Sequence, residues 1–353
     1  MSVFCFEDLL RIAVERKASD IHFAVGKPPM VRVFGDLVAL DYPVLVDSDV
    51  RGMLYPVWSD EKKAQLAEDW ELDFSYSIEH VSRFRGSAMI QRGSLDVVMR
   101  VVPWKIPKID DLGLPAIVSE LSRLPRGLVL VTGPTGSGKS TTLASVIGLI
   151  NEEQNVNILT IEHPIEFLHA HKNSIVRQRE VGNDTRSFGL ALRNALRHDP
   201  DVILIGEMRD QESIAIALTA AETGHMVFST LHTQTAPLAV QRIVDVFPDA
   251  ARNYVRMQLA DSLKGVISQQ ILPRADGNGR VAAIEVLVAT PAVCNMIREG
   301  HLHQLYSSMQ TGRVFGMQTM DTALADLVAR GLVTRDEALS RCVNKTELER
   351  LLR

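Results

Sequence analysis

The period of apolar and polar positions changes along the chain, and the changes mark out its parts. Residues 6–17 set apolar and charged side chains at helical spacing, and 19–25 then run as a strand stopped by Gly26-Lys-Pro28-Pro29. Runs at 30–34 and 37–40 flank Gly35-Asp36 as a hairpin would. Helices are predicted at 47–55 and 60–68, and strands at 71–76, 82–91 and 95–102, with Gly93-Ser94 between the last two. These elements make a small α+β module over 1–102. The prolines of Pro103-Trp-Lys-Ile-Pro107 break regular structure and predict a linker over 103–115.

After the linker the strands change character. Continuous apolar runs at 127–132, 157–161, 201–205 and 226–231 alternate with helical stretches at 139–151, 186–198, 211–223 and 236–246. Strands that are apolar at every position are buried on both faces, so the fold class is α/β, with a parallel sheet covered by helices over 116–289. Val255, Leu259, Leu263 and Ile267 fall at i, i+4 spacing and predict one buried helix across 249–272. A late strand is expected over 280–288, after the turn Asp276-Gly-Asn-Gly279. Short helices then fill 290–353 and pack on the preceding domain.

The first of the buried runs leads directly into chemistry. Gly127-Leu-Val-Leu-Val-Thr continues as Gly133-Pro134-Thr135-Gly136-Ser137-Gly138-Lys139-Ser140-Thr141, the spacing G-x-x-x-x-G-K-[ST] between a strand and a helix. Such a loop cradles nucleotide phosphates in backbone N–H groups. Its lysine meets the β/γ-phosphates and its serine hydroxyl meets Mg²⁺. ATP and Mg²⁺ are therefore the expected ligands.

Three further runs end in polar residues at what would be the ligand-binding edge of a parallel sheet. Asp201-Val-Ile-Leu-Ile-Gly206 delivers Glu207, placed to orient or deprotonate an attacking water, while Asp210 reads as the N-cap of the next helix. A strand ending in a solvated acid is the plainer alternative for Glu207. Leu159-Thr-Ile ends in Glu162, with Glu166 close behind. Either could help hold Mg²⁺ or position the nucleophile, or could be a surface acid in a turn. The strand from His225 to His232 leads toward the nucleotide, where a polar residue can sense the γ-phosphate, and each histidine could equally be a satisfied core or capping residue. In the N-terminal module Arg83 and Arg85 share one strand face and Arg100 lies on the neighbouring strand. Guanidinium groups stabilise a transferring phosphoryl group. An ordinary exposed strand face or an RNA-binding sheet are the other readings of these arginines, and few aromatics interleave with them to support RNA.

Composition narrows the field. A net charge of −5 and an aromatic fraction of 5% leave little for a base-stacking groove, so no nucleic acid is expected. Cys5, Cys294 and Cys342 are scattered with no C-x-x-C pair, which gives neither a zinc site nor a disulfide framework. The segment after Met1 turns acidic at Glu7-Asp8 and no apolar run is long enough for a bilayer. The expected location is cytoplasmic, with membrane contact only through a partner.

Taken in order, these motifs resemble the bacterial secretion ATPase superfamily and, within it, the PilT-type type IV pilus retraction motors. Ser19-Asp-Ile-His22 and Pro28-Pro29-Met-Val-Arg32 are similar to its PAS-like N-terminal domain. The loop Gly133–Thr141 is similar to its Walker A, and Thr160-Ile-Glu162-His163-Pro164-Ile-Glu166 to its Asp box. Ala195 through Asp210 is similar to its Walker B, Ala220 through Thr233 to its His box, and Thr290 through Asp321 to its C-terminal region. The resemblance implies a RecA-like ATPase domain in a homohexameric ring, with nucleotide held between the two domains. It makes Glu207 the catalytic base and Arg83, Arg85 and Arg100 the fingers. The implied partner is an inner-membrane pilus platform protein, whose turning depolymerises the pilus, so the motor is peripheral to the inner membrane. An assembly or secretion ATPase of a related type II, type IV or conjugation system, or a weakly hydrolysing regulatory ATPase, are the alternatives. The paired cysteines and longer N-terminus usual in extension motors are missing from this sequence, which favours retraction.

The sequence departs from the family pattern at three places. His163 stands where an aspartate is usual, Cys294 where the C-terminal motif has arginine, and Ile284 where a histidine is common. Histidine supplies no negative charge toward Mg²⁺. The expected outcome of His163→Asp is faster ATP turnover at saturating Mg²⁺ in a phosphate-release assay; unchanged or slower turnover would mean that histidine is adapted to this position.

Overall fold

Alternating burial along β-strands builds the first part of the molecule, and continuous burial builds the second. The computed structural model describes every residue except 1–3, 34, 80, 103–105 and 278. The first three residues, Phe34 of a predicted strand, residues 103–105 of the predicted linker and Asn278 of the predicted turn therefore lie outside the described residues. The chain divides into two compact units, Met1–Lys105 and Ile106–Arg353.

In the first unit the strands β1 (Asp20–Phe23), β2 (Met30–Val33), β3 (Asp36–Ala39), β4 (Glu71–Ile78), β5 (Ser82–Gln91) and β6 (Ser94–Val102) pair in the order β3-β2-β1-β6-β5-β4. Every pairing is antiparallel. Such a sheet can keep one face wet. Along β5, Phe84, Gly86 and Ala88 are buried while Arg85, Ser87 and Met89 are exposed. The inner face meets the helices Phe6–Glu15, Asp47–Leu54 and Asp60–Asp69, where Leu9, Leu10, Val50 and Leu66 join Ile21, Phe84 and Met99 in one core.

In the second unit β7 (Gly127–Thr132), β8 (Asn157–Glu162), β9 (Ile175–Glu180), β10 (Val202–Ile205), β11 (Met226–Leu231), β12 (Leu263–Pro273) and β13 (Arg280–Val288) pair in the order β13-β12-β7-β11-β10-β8-β9. All pairs are parallel except β12 with β13. Alternate residues feed opposite cores. Val129 and Val131 meet Leu143 and Ile147 of the helix Lys139–Glu153. Leu128 and Leu130 face the side covered by the helices Gln211–Glu222, Ala236–Asp245 and Asp249–Ser262. Of the late helices, Pro291–Glu299 and Leu305–Thr311 join this second core. Met320–Ala329, Arg335–Arg341 and Lys345–Leu351 close over Leu272 and Ala283 of β12 and β13. Among the described residues no helix is long and apolar enough to cross a membrane.

Two strands of the second sheet differ from the pattern reading. The single helix expected over 249–272 stops at Ser262, where Leu263 turns extended (ψ 135°) and begins β12. Residues 265–269 are all buried. A strand covered on both faces accepts apolar side chains at every position and so satisfies a helical spacing by accident. The strand β9 was not anticipated, because Ile-Val-Arg-Gln-Arg-Glu is an edge strand whose charged positions hide its period.

One glycine in the first unit is set by close approach. A Cβ on Gly86 would lie 2.3 Å from the ring of Phe74. That ring is itself buried and packed edge-on against Trp58 at 5.1 Å. Gly86→Ala is expected to destabilise this unit by about 1–3 kcal/mol in denaturant unfolding, with little effect on the other unit.

Candidate active site

Parallel strands all present their C-terminal ends at one edge, and the order β7-β11-β10-β8 puts four loops side by side there. They carry, in turn, the loop after Thr132, His232 after β11, Glu207 after β10, and Glu162 at the end of β8. Neighbouring strands are roughly 4.8 Å apart, so this edge is narrow enough for one nucleotide triphosphate tail and its water.

The loop from Gly133 to Gly138 bends back through left-handed backbone. Gly133 has φ +143°, and a Cβ there would meet the carbonyl oxygen of Gln269 at 2.3 Å. Gly138 (φ +86°) starts the helix Lys139–Glu153, whose first N–H groups have no intrahelical partner and favour an anion. Lys139 is buried and donates to the carbonyls of Gly133 at 2.8 Å and Pro134 at 3.0 Å. Burial holds its ammonium below the ordinary lysine range, and the charge of Glu207 pulls it back up. Pro134, Thr135, Gly136 and Ser140 are exposed, Thr141 is half-buried, and Ser137 Oγ is buried without a hydrogen-bond partner among the described atoms. An orphan hydroxyl, a lysine and a free helix start form a donor set that fits phosphate.

Glu207 is the carboxylate best placed for chemistry. Its side chain is 20% exposed and meets Arg209 at 2.8 Å and His232 Nε2 at 3.1 Å. Burial pushes its carboxyl up, but the hydrogen bond and charge of Arg209 and those of His232 outweigh burial and hold it below the usual range. It is therefore ionised at neutral pH. The backbone beneath it is fixed: Gly206 N–H donates to Ile161 at 2.8 Å, and Thr230 Oγ1 donates to the Gly206 carbonyl at 2.6 Å. Asp210 caps the following helix through the N–H of Ser213 at 2.8 Å, as its spacing predicts.

The other predicted residues fall into place less uniformly. Glu162 is buried and accepts from Thr160 Oγ1 at 2.6 Å and Gln178 Nε2 at 3.1 Å, and burial raises its carboxyl despite these bonds. Glu166 is exposed and contributes a backbone N–H to Glu162. None of the described contacts joins either acid to Ser140, and among the described residues no cluster of three or more metal-ligating side chains occurs. His163 is exposed with its ring stacked near Phe188 at 6.5 Å. The placement expected for His225 is corrected. It precedes β11, its carbonyl accepts from Gly127 N–H at the start of β7, and its Nδ1 sits 2.9 Å from the Ala220 carbonyl. A strand of this length separates it from the phosphate loop by roughly 20 Å, so it caps a helix rather than meeting nucleotide.

In the N-terminal unit Arg83, Arg85 and Arg100 share the outward sheet face. Arg85 pairs directly across from Arg100, and Arg100 Nε donates to Asp20 at 3.0 Å on the next strand. Arg83 donates to Ser75 at 3.0 Å.

The pattern reading missed the bracing of the loop by β12. Gln269 Nε2 donates to the Ser137 carbonyl at 2.5 Å, and Ser268 and Thr132 hydroxyls meet at 2.7 Å. Reading 263–273 as a strand beside β7 would have placed Ser268 opposite Thr132. Arg209, the partner of Glu207, was also missed.

A family model described as "Type II/IV secretion system protein" matches residues 4–334. The chain belongs to that secretion ATPase family. It is 48% identical over 331 residues to the "Type IV pilus retractation ATPase PilT" of Pseudomonas aeruginosa, covering 94% of this chain and 96% of that one. It is 49% identical over 320 residues to a "Twitching motility protein" of Neisseria gonorrhoeae, covering 91% and 86%. The crystal structure of the pilus retraction motor PilT with bound ADP superposes with a TM-score of 0.93 at 48% identity, covering 98% of this chain and 99% of that one. The α/β fold and the ATPase class follow from these matches.

For this secretion ATPase, Gln269→Ala leaves the Ser137 carbonyl without its buried donor. The expected result is about tenfold weaker ADP binding in a fluorescent-nucleotide titration, with the melting temperature little changed.

Proposed function

We propose that the protein is the ATP-hydrolysing motor of type IV pilus retraction. The observation that carries the hydrolytic half is the ionised Glu207, held by Arg209 and His232 at the same sheet edge as the Lys139 loop. The retraction half rests on the full-length likeness to PilT.

In this reading, the loop from Gly133 to Thr141 binds the phosphate tail through backbone N–H groups. Lys139 exchanges its loop carbonyls for phosphate oxygens. Glu207 takes the proton of the attacking water, and His232 keeps that carboxylate aimed and lies beside the position of the γ-phosphate. Mg²⁺, when bound with nucleotide, offsets phosphate charge, and Ser140 is the residue whose exposed hydroxyl would hold it. Glu162 and Glu166 shape the end of β8 behind Glu207, with Glu162 assisting at the metal side. We assign Arg83, Arg85 and Arg100 as cations toward the transferred phosphoryl group. The PAS-like and RecA-like identities of the two units, the homohexamer, and an inner-membrane platform protein as partner belong to the same proposal.

Glu207→Gln keeps nucleotide binding and is expected to lower turnover by about 10²–10⁴. Turnover at the wild-type rate would remove Glu207 from its role. Direction is read in the host: loss of the gene should give more surface pili and no twitching, whereas loss of pili would make the protein an assembly motor.

A further inference from the structure

Glu285 lies in the middle of β13 with no exposed surface. One carboxylate oxygen accepts from the N–H of Ala236 at 2.6 Å, and the other accepts from the N–H of Met320 at 3.1 Å. Each N–H opens a helix. Ala236–Asp245 starts three residues beyond Thr233, directly downstream of His232, and Met320–Ala329 opens the last group of helices. One buried carboxylate thus sits at two positive helix ends, which is the favourable position for a negative charge. Asp321 is buried beside it and accepts from the N–H groups of Val343 at 2.8 Å and Asn344 at 3.0 Å, and from the Tyr306 hydroxyl at 3.1 Å.

We infer that Glu285 is a positioning residue for hydrolysis: its carboxylate ties the segment carrying His232 to the C-terminal helices, and taking up a proton loosens that tie. The inference rests on the assignment of His232 as the partner of Glu207. When a solvent proton binds one Glu285 oxygen, that oxygen becomes a hydroxyl and a poor acceptor. One of the two helix N–H groups then loses its partner inside the core. Among the described residues the charged and titratable groups facing Glu285 are Asp321 and Tyr306, and neither supplies a cation to hold the ionised form. Burial, reinforced by Asp321 and opposed by the two N–H groups, pushes the carboxyl up from 4.5 to about 7. Both forms are therefore populated near neutral pH. The folded state holds this proton more tightly than the unfolded chain, so the contribution of Glu285 to stability falls as pH rises from 4.5 to about 7. Within the folded chain the carboxylate that accepts from both N–H groups forms as pH passes about 7.

The test compares wild type with Glu285→Gln, whose amide can accept from one N–H but presents N–H₂ to the other. The expected result is kcat lowered about tenfold with KM for ATP within about twofold, and loss of the part of the kcat–pH profile centred near 7. A wild-type kcat and an unchanged profile would overturn the inference, whatever happens to the melting temperature. Should the variant not fold, hydrogen exchange on the wild-type protein decides. After correction for intrinsic rates, protection of the peptides containing Ala236 and Met320 should rise together as pH passes about 7, and pH-independent protection would overturn it. Full turnover in Glu207→Gln would sink the catalytic pair while leaving these exchange results standing, so the two failures are separable.

Discussion

The whole site hangs from the C-terminal end of β7, which is buried along its full length between β11 and β12. A strand so enclosed has little freedom to shift, because every residue is packed on one face or the other and strands pair along both its edges. Its last residue, Thr132, is fixed to Ser268 by a buried hydroxyl pair, and the loop that follows is pressed against the backbone of Gln269. That contact forbids a side chain at Gly133. The loop can therefore wrap an anion without first being ordered by it, which removes part of the entropy cost of binding.

Three buried or half-buried glutamates show how environment divides one residue type into different tasks. Glu207 has a guanidinium and an imidazole within hydrogen-bond distance, and they hold it ionised against burial. Glu162 has only neutral donors, and burial prevails. Glu285 has two backbone N–H groups at helix ends and an acidic neighbour, which leaves it poised near neutrality. A base needs the first environment. The second suits an acceptor that holds β8 to β9, and the third suits a group whose charge can change.

Much of this was legible in the residue order, because local chemistry has local signatures. The phosphate loop needs glycines and a lysine at fixed spacing, a helix start needs an N-cap such as Asp210, and a two-residue period puts Arg83 and Arg85 on one face. What escaped was long-range. Gln269 reaches Ser137 across 132 residues, and no spacing rule connects them. β12 was hidden because a strand buried on both faces has no period of its own, and β9 because an edge strand can be charged. His225 was misplaced because the histidine that precedes its strand was grouped with the one that follows it: in a parallel sheet the residue before a strand and the residue after it face opposite edges.

The N-terminal sheet adds a last constraint. Arg85 and Arg100 face each other directly across two strands, an arrangement that opposes sheet formation by about 0.2–1 kcal/mol unless a negative group lies between or beside them. Asp20 answers Arg100. Arg85 stays exposed on the same face, and β1, β5 and β6 keep the pair in register through their buried side, where Ile21, Phe84 and Met99 are fully enclosed. The inner face thus fixes what the outer face alone would not choose. A packed core that holds two guanidinium groups side by side concentrates positive charge in a way that packing alone does not require.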